Sequence, residues 1–549
     1  MGTQNESPDN EFTLQEQKVI EQMKNVTFYK ADEKRWYTKL LWEKEPEMLL
    51  GQNFNKSLKI ANYMANRQRH LPHIVKARVE EYQKFIDEGF AVEVTDQARP
   101  KYCSYIPSHA VFTPHKKTTK CRIVLNCSSE TETGYSINSL LPKGPLLLPE
   151  YAHVLIRFRL KKYAYAMDVS KMFLQIKLEG DDVQYQRFIW IDEKGNARHG
   201  QFNCLVFGMI SSPFQAIWVT KEHAKKFESE FPLAAEQVKT NLYMDDIASG
   251  ENILETAQVT VEQLKGLFRE AGMKLHKWVS NHPKVLDHID WDDQVDEGVV
   301  SILGQGWDSV KDELLFNFTS LDERELKQED TKRTFLSKMA KLFDPLGYIG
   351  PFVVGIKLIF QRLWTYENLS WDVPVPEEIQ TQWDSLKDEL LLLKEIRIPR
   401  RVDNDIPTLT SKLVVFCDAS KKAFAACVYL VHFKDEGPNI AHLIFAKTRV
   451  APLRLGGKKL SEDMTIVRLE LLAMVLGAKI GNYVKKGLEP SMGELEVLYF
   501  TDSMINLYRV NRPYQAFKQW VGNRLKLVVE SSKPENWSHV PTEFNPADL

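Results

Sequence analysis

The densest concentration of chemistry in the sequence is Asn241-Leu242-Tyr243-Met244-Asp245-Asp246-Ile247-Ala248-Ser249, two apolar runs interrupted by adjacent acids. That pattern predicts a tight β-hairpin whose turn presents Asp245 and Asp246, a place where core packing would never put them. Carboxylates are hard oxygen donors suited to Mg²⁺, and a two-metal centre needs them to converge from different chain segments. Asp168 is the natural second source. It ends the run Tyr165-Ala166-Met167, and Val169-Ser170-Lys171-Met172-Phe173 turns the chain away directly after it. A lone Asp-Asp turn is more often merely solvated, so order and spacing carry the inference.

A second acidic set follows near the end of the chain. Asp418 succeeds the apolar run Leu413 to Cys417, Asp502 succeeds Val497-Leu498-Tyr499-Phe500, and Asp548 lies in Asn545-Pro546-Ala547-Asp548. Glu470 interrupts an otherwise apolar helix of Ile466, Val467, Leu469, Leu471 and Leu472. A carboxylate there is costly unless compensated, and a metal ion would compensate it. The bland alternative is a helix-edge side chain reaching solvent.

The elements that position these groups are legible in outline. Residues 53–90 read as helices, with Ile74, Val75, Val79, Tyr82, Phe85 and Ile86 at spacings of three and four, stopped by Gly89-Phe90. Tyr102 to Ser128 alternates apolar and polar residues as a strand does. Phe188 to Ile191 and Phe202 to Phe207 flank the turn-like Asp192 to Asn196, which predicts a hairpin. Ser211-Ser212-Pro213 supplies an N-cap and a first-turn proline for a helix through Phe227. Asp287 to Glu297 and Trp371 to Pro376 are candidate seams, and a fresh strand-rich unit begins at Lys412.

Bulk properties bound the answer. At 549 residues, several compact units are expected, and 43% hydrophobic with 27% charged residues is an ordinary globular balance. Apolar stretches fall short of the ~20 residues of a membrane span, and the polar start carries no legible targeting signal. Six cysteines without a CxxC pair predict buried thiols in a reducing compartment, hence a cytoplasmic protein, with a virus-like particle or the nucleus as alternatives. The net charge of −2 argues against a nucleic-acid partner until its distribution is considered. Residues 101–200 hold 15 Lys and Arg against 9 Asp and Glu, and residues 231–300 hold 6 against 13, as a basic groove beside an acidic metal centre would.

The order of segments resembles the reverse transcriptase motif series over roughly 100–290. A basic strand precedes the strand ending in Asp168; then come Phe207-Gly208-Met209 with Pro213-Phe214-Gln215, Tyr243-Met244-Asp245-Asp246, and Gly272-Met273-Lys274-Leu275. Finer details resemble the BEL/Pao group of LTR retrotransposons: Asp168 to Phe173, Lys277-Trp278-Val279-Ser280-Asn281, Leu303-Gly304 with Trp307, and Phe343-Asp344-Pro345-Leu346-Gly347 leading to Pro351. Residues 412–549 resemble a retroelement ribonuclease H, with Cys417-Asp418-Ala419-Ser420 and Thr501-Asp502-Ser503 as signatures.

The resemblance implies an α/β multidomain chain: a right-hand polymerase of fingers, palm and thumb/connection, followed by a ribonuclease H-like α/β domain truncated at its C-terminus. The expected division is 1–50 as an N-terminal extension, 51–285 as fingers and palm, 286–408 as thumb/connection and 409–549 as the incomplete ribonuclease H-like domain. Asp168, Asp245 and Asp246 would bind one pair of Mg²⁺ ions, and Asp418, Glu470, Asp502 and Asp548 another, with Mn²⁺ as the alternative metal. Arg122 matches the fingers arginine that reaches the triphosphate, with Lys116 and Lys117 in the neighbouring turn. Gln215 would pack beneath the nucleotide or template, and Phe173 under the sugar. Each has a plainer alternative: a surface charge for Arg122, a helix-face amide for Gln215, a core aromatic for Phe173. Expected partners are RNA and DNA template-primers, dNTPs and an RNA–DNA hybrid, with no membrane; the oligomeric state is not legible.

Two departures affect the second set. Glu543 stands where related enzymes often carry a catalytic-loop histidine, and Leu549 follows the fourth acid directly, without the helix expected to position it. Among competing readings, an aspartic peptidase would need Asp-Ser/Thr-Gly loops, and Asp418-Ala419-Ser420 and Asp502-Ser503-Met504 lack the glycine. Viral RNA-dependent RNA polymerases more often carry Gly-Asp-Asp at the hairpin. A decayed remnant that only binds nucleic acid is opposed by the retention of all seven acids.

Overall fold

A computed structural model describes residues 12–95, 100–113, 121–296, 298–316, 328–402, 410–453 and 464–548. The chain forms two compact units, each built from separated segments. One comprises Met1–Leu148, Met167–Ile247 and Val259–Lys277; the other comprises Pro149–Ala166, Ala248–Gln258 and Trp278–Leu549.

In the first unit the expected helices are Phe54–Gln68 and Pro72–Asp87, the latter ending before Gly89 at φ 74°. The alternating segment is a hairpin of Ser108–Phe112 and Cys121–Leu125, paired from Ser108↔Leu125 to Phe112↔Cys121. Arg187–Ile191 does pair across the 192–196 turn, but its partner strand is Ala197–Phe202 rather than 202–207. That strand was missed because only alternate residues toward its end, Gly200 and Phe202, are buried. A Cβ on Gly200 would lie 2.2 Å from the Phe188 ring, so the close approach requires glycine. Tyr82 stacks on both Phe188 and Trp190 beside it.

Helix Ser212–Lys226 has its first-turn proline, but Ser211 makes no side-chain cap. Ser211 is itself helical in backbone, and the hydroxyl of Ser212 donates to the Val206 carbonyl at 2.7 Å. The N-terminal segment is ordered structure: Phe28–Lys30 and Arg35–Thr38 form an antiparallel pair, and Arg35–Thr38 runs parallel to Lys177–Leu178. A four-stranded sheet is ordered Leu242–Tyr243, Asp246–Glu251, Tyr163–Val169, Leu275–Ser280.

The second unit is organised on a five-stranded sheet, ordered Ile440–Val450, Ala423–Phe433, Thr410–Ala419, Glu496–Thr501, Trp537–His539. The first three strands are antiparallel and the last two join in parallel. Helix Ile466–Met492 crosses this sheet, and Gly477 lets it approach so closely that a Cβ would lie 2.1 Å from Cys417 Sγ. Helices Lys332–Ala340, Gly350–Arg362 and Glu377–Leu392 surround Phe335, Ile356 and Trp383.

Two buried arginines tie distant parts of this unit together. Arg400 grips Asp312 through Nε at 2.6 Å and Nη2 at 2.8 Å, and its Nη1 donates to the Phe158 carbonyl at 2.6 Å. Arg159 donates to the carbonyls of Arg400, Leu443 and Pro399 and to the Tyr348 hydroxyl. All six cysteines are buried free thiols, as their spacing predicts. No described helix is long and apolar enough to cross a membrane.

Candidate active sites

The two acidic sets lie in different units. In the first, Tyr243 pairs directly with Asp246, so the hairpin turn consists of Met244 and Asp245 and its second acid already belongs to the strand. Met244 takes φ 55°, the positive value a two-residue hairpin of this kind needs at its first central position. A residue other than glycine there is strained, and the strain is spent on aiming the acids. The Val169 N–H donates to the Asp245 carbonyl at 2.7 Å, which sets the turn beside Asp168.

The electrostatics follow from this crowding. Burial, then the charges of Asp245 and Asp168, push the Asp246 carboxyl up to about 7. Loss of solvent, then the Asp168 charge, also raises Asp245, although its side chain stands at the exposed turn tip. Lys277 offsets part of the repulsion, its ammonium 2.6 Å from Asp168 Oδ2, and His276 Nδ1 lies 3.0 Å from the Asp168 carbonyl. Three mutually repelling, partly desolvated oxygen donors suit a hard divalent cation. As they stand, no three acidic, His or Cys groups among the described residues are gathered tightly enough to enclose an ion. Asp168 is engaged by Lys277 instead, a partner the spacing argument missed although Lys277 stands in one of the quoted motifs.

A cleft of about 390 Å³ opens beside the turn. Its walls include Arg122, Phe173, Met244 and Asp245, so these expected nucleotide contacts share one space with an acid of the turn. Arg122 is exposed on its strand, and Phe173 is half-buried in the turn Met172–Gln175. Gln215 is fully buried: its amide nitrogen donates to the Lys39 carbonyl at 2.9 Å and lies 3.4 Å from Thr38 Oγ1. From there it acts on a nucleotide only through neighbours. Lys116 and Lys117 lie outside the described residues.

In the second unit Asp418 sits one residue from the end of Thr410–Ala419, and Asp502 directly follows the adjacent parallel strand Glu496–Thr501. Burial raises Asp418 to about 6, with the Asp502 and Asp548 charges and a hydrogen bond to Asp548 adding to the rise. Asn545 fixes the last segment by donating to the Cys417 carbonyl at 3.1 Å. Thr542 Oγ1 donates to Asp502 Oδ2 at 2.9 Å. Glu470 is half-buried and bonded rather than solvent-directed. It accepts from the Ser503 hydroxyl and, at 3.4 Å, from Asn506 Nδ2. Ser503, Asn506 and Thr542 were not singled out from sequence; only Ser503 had a signal there, as the third residue of the Thr501-Asp502-Ser503 signature.

Two family models match the chain in sequence. Reverse transcriptase (RNA-dependent DNA polymerase) matches residues 116–278, and the Pao retrotransposon-like RNaseH-like domain matches residues 331–503. No curated protein matches. Among solved structures, the foamy viral protease-reverse transcriptase described in complex with ds DNA superposes with a TM-score of 0.54 at 14% identity, covering 96% of this chain and 79% of that one. At that identity the likeness shows the fold alone; that a reverse transcriptase domain precedes a ribonuclease H-like domain comes from the two family models. The first matched segment contains Asp168, Asp245 and Asp246, and the second contains Asp418, Glu470 and Asp502. By the nature and order of these domains, the chain is a Pao-type retrotransposon reverse transcriptase–ribonuclease H protein.

Proposed function

We propose that the chain copies RNA and DNA templates into DNA at Asp168, Asp245 and Asp246, and cleaves the RNA of the resulting hybrid at Asp418, Glu470, Asp502 and Asp548. The observation that carries the polymerase reading is the Val169–Asp245 backbone bond, which sets the Met244-Asp245 turn beside Asp168 at the mouth of the Arg122–Phe173 cleft. At each centre a pair of divalent cations, Mg²⁺ or Mn²⁺, would activate the attacking oxygen and neutralise charge on the leaving group.

The protein's own residues do the rest. Arg122 offers a planar guanidinium to the dNTP triphosphate from the cleft wall. Phe173 presents a rigid ring where the sugar would lie. Lys277 offsets part of the charge of the acids, which would themselves hold the cations. At the ribonuclease centre, Ser503 and Asn506 orient Glu470, and Thr542 holds Asp502. The partners are template-primer, dNTPs and an RNA–DNA hybrid, met in the cytoplasm.

Primer extension on RNA and DNA templates with Mg²⁺ or Mn²⁺ tests the first activity. Asp245→Asn should abolish extension while circular dichroism stays unchanged, because a neutral amide is a poor ligand for a hard cation. Full extension by the folded mutant refutes the assignment. Cleavage of a labelled hybrid tests the second activity, which Glu470→Gln should remove without affecting extension.

A further inference from the structure

The N-terminal segment lies outside both family matches, which begin at residues 116 and 331. It nevertheless reaches the turn that follows Asp168. We infer that Arg35 is a positioning residue for nucleotide binding, acting through Gln175 on the Ser170–Gln175 turn that carries Phe173. The inference rests on the polymerase reading.

A single nitrogen makes the link. Arg35 Nη1 donates to Gln175 Oε1 at 2.7 Å and to the Gly272 carbonyl at 2.6 Å, so it bridges the turn after Asp168 to the Gly272-Met273-Lys274 segment. Gln175 Nε2 lies 3.2 Å from the Ser170 carbonyl, and the Ser170 N–H donates to the Lys274 carbonyl at 2.9 Å. These contacts close a circuit around the turn: Arg35, Gln175, Ser170, Lys274, and back through Gly272. Phe173 sits inside it, on the only short helical turn between Lys171 at φ 51° and the strand Lys177–Leu178. Gly272 takes φ 61°, and a Cβ there would lie 2.5 Å from the guanidinium carbon, so glycine keeps the seat open.

The brace has a firm mounting. Tyr37 and Thr38 pair with Lys177 and Leu178 just beyond the turn. Trp36 Nε1 donates to His223 Nδ1 at 3.0 Å, and Lys34 Nζ lies 2.7 Å from Glu270. A side chain held from behind in this way can fix a ring to well under an ångström. A ring displaced from that seat while the acids stay in place fits the sugar less closely, a loss felt in nucleotide binding and discrimination.

The acids stay in place when Arg35 is lost, whereas the floor under the sugar loosens. Single-nucleotide incorporation by the full chain should therefore show a KM for dCTP raised about tenfold in Arg35→Met, and a lowered preference for dCTP over CTP, with kcat within about twofold of wild type. Arg35→Lys should recover part of the loss, since an ammonium can also donate to both acceptors. Gln175→Met should reproduce the phenotype, and the double variant should be no worse than the weaker single, because both break one circuit. Gln175→Met also carries the test should Arg35→Met fail to fold.

An unchanged KM and unchanged sugar preference in folded variants overturn the inference. So does a loss confined to kcat that tracks the folded fraction by circular dichroism, which is what a purely structural role gives. Absence of extension by wild type removes the polymerase reading itself, while extension with unaltered discrimination removes only this one.

Discussion

Lowering the pH from about 8 to about 6 should weaken divalent-cation binding at the polymerase centre about tenfold, because one of its acids titrates in between. Burial and the charges of Asp245 and Asp168 hold Asp246 at about 7. Such a carboxyl is roughly nine-tenths ionised at the upper pH and roughly one-tenth at the lower, and a cation must displace the remaining protons before it binds. Asp245 is raised in the same direction by loss of solvent and the Asp168 charge, and the Lys277 charge opposes both shifts. The stability effect has the opposite sign. An acid raised in the folded state binds its proton more tightly folded than unfolded. Its contribution to metal-free stability is therefore present at low pH and is lost as the pH climbs from the ordinary carboxylate range to about 7. Mg²⁺ should accordingly raise the melting temperature more at pH 8 than at pH 6. Mn²⁺ titration followed by electron paramagnetic resonance, without nucleic acid, measures the affinity directly. Equal affinities at the two pH values, or an undiminished slope in Asp246→Asn, would refute the reasoning.

Other perturbations test other parts. Phe173→Val should increase CTP incorporation relative to dCTP about ten- to a hundredfold by kcat/KM while DNA synthesis persists; an unchanged ratio returns Phe173 to a packing role. Asp330 is fully buried between Lys338 at 2.7 Å and Lys387 at 3.0 Å, and Trp383 Nε1 lies 3.0 Å from the same carboxylate. Asp330→Ala should therefore destabilise the helices around it by about 3–5 kcal/mol, read by hydrogen exchange, since it strands buried ammonium groups. Burial opposes the Asp330 charge but the two lysines outweigh it and hold its carboxyl below the usual range, so its contribution persists above the ordinary carboxylate pKa and is lost only as the pH falls through the depressed value. Removing residues 409–549 should impair primer extension as well as hybrid cleavage; full extension by that shortened chain would show that the two activities fold independently.

The acids were legible in the sequence because each interrupts or ends an apolar run, and a carboxylate at a strand end or in an apolar helix has few structural uses. Asp168, Asp245, Asp418 and Asp502 all stand at such places: the Val169–Asp245 backbone bond sets Asp245 beside Asp168, and Asp418 and Asp502 lie at the ends of neighbouring parallel strands. What holds the acids was not legible. Lys277 meets Asp168 across 109 positions, and Thr542 meets Asp502 across 40, so nothing local in the pattern marks either contact. Helix caps failed for a related reason: Ser211 has a capping residue's composition, but tertiary packing draws the neighbouring Ser212 hydroxyl to Val206. The strand Ala197–Phe202 was overlooked because its outward residues are polar and its closest inward contact is a glycine, which carries no hydrophobic signal.

The buried arginines explain the structural part played by two motifs that are conspicuous in sequence. Trp307 and the Phe343 to Gly347 run build the surroundings of the segment that leads into Asp168, and Gly347 also lines a cavity with Asp418 and Asp548. Trp307 Nε1 donates to Asp312, the carboxylate that Arg400 grips, and Asp344 accepts the N–H groups of Gly347, Tyr348 and Ile349, which places the Tyr348 hydroxyl against Arg159. Gly347 is forced by its seat, where a Cβ would lie 1.9 Å from the Ala446 carbonyl. Arg159 meets only carbonyls and one hydroxyl among its described hydrogen bonds, so its charge is solvated by backbone dipoles fixed by the fold rather than by a counter-ion. Those dipoles come from Pro399 and Arg400, and from Leu443 on the ribonuclease H-like sheet. Helix Tyr151–Phe158 meets the same domain again, where Arg157 Nη1 donates to the Gly487 carbonyl at 3.1 Å and the His153 ring packs on Tyr483. Burying a guanidinium is tolerable only while its acceptors remain in place. The segment preceding the polymerase acid therefore depends on the ribonuclease H-like sheet for its own folding, which is the physical basis for expecting one activity to fail when the other domain is removed.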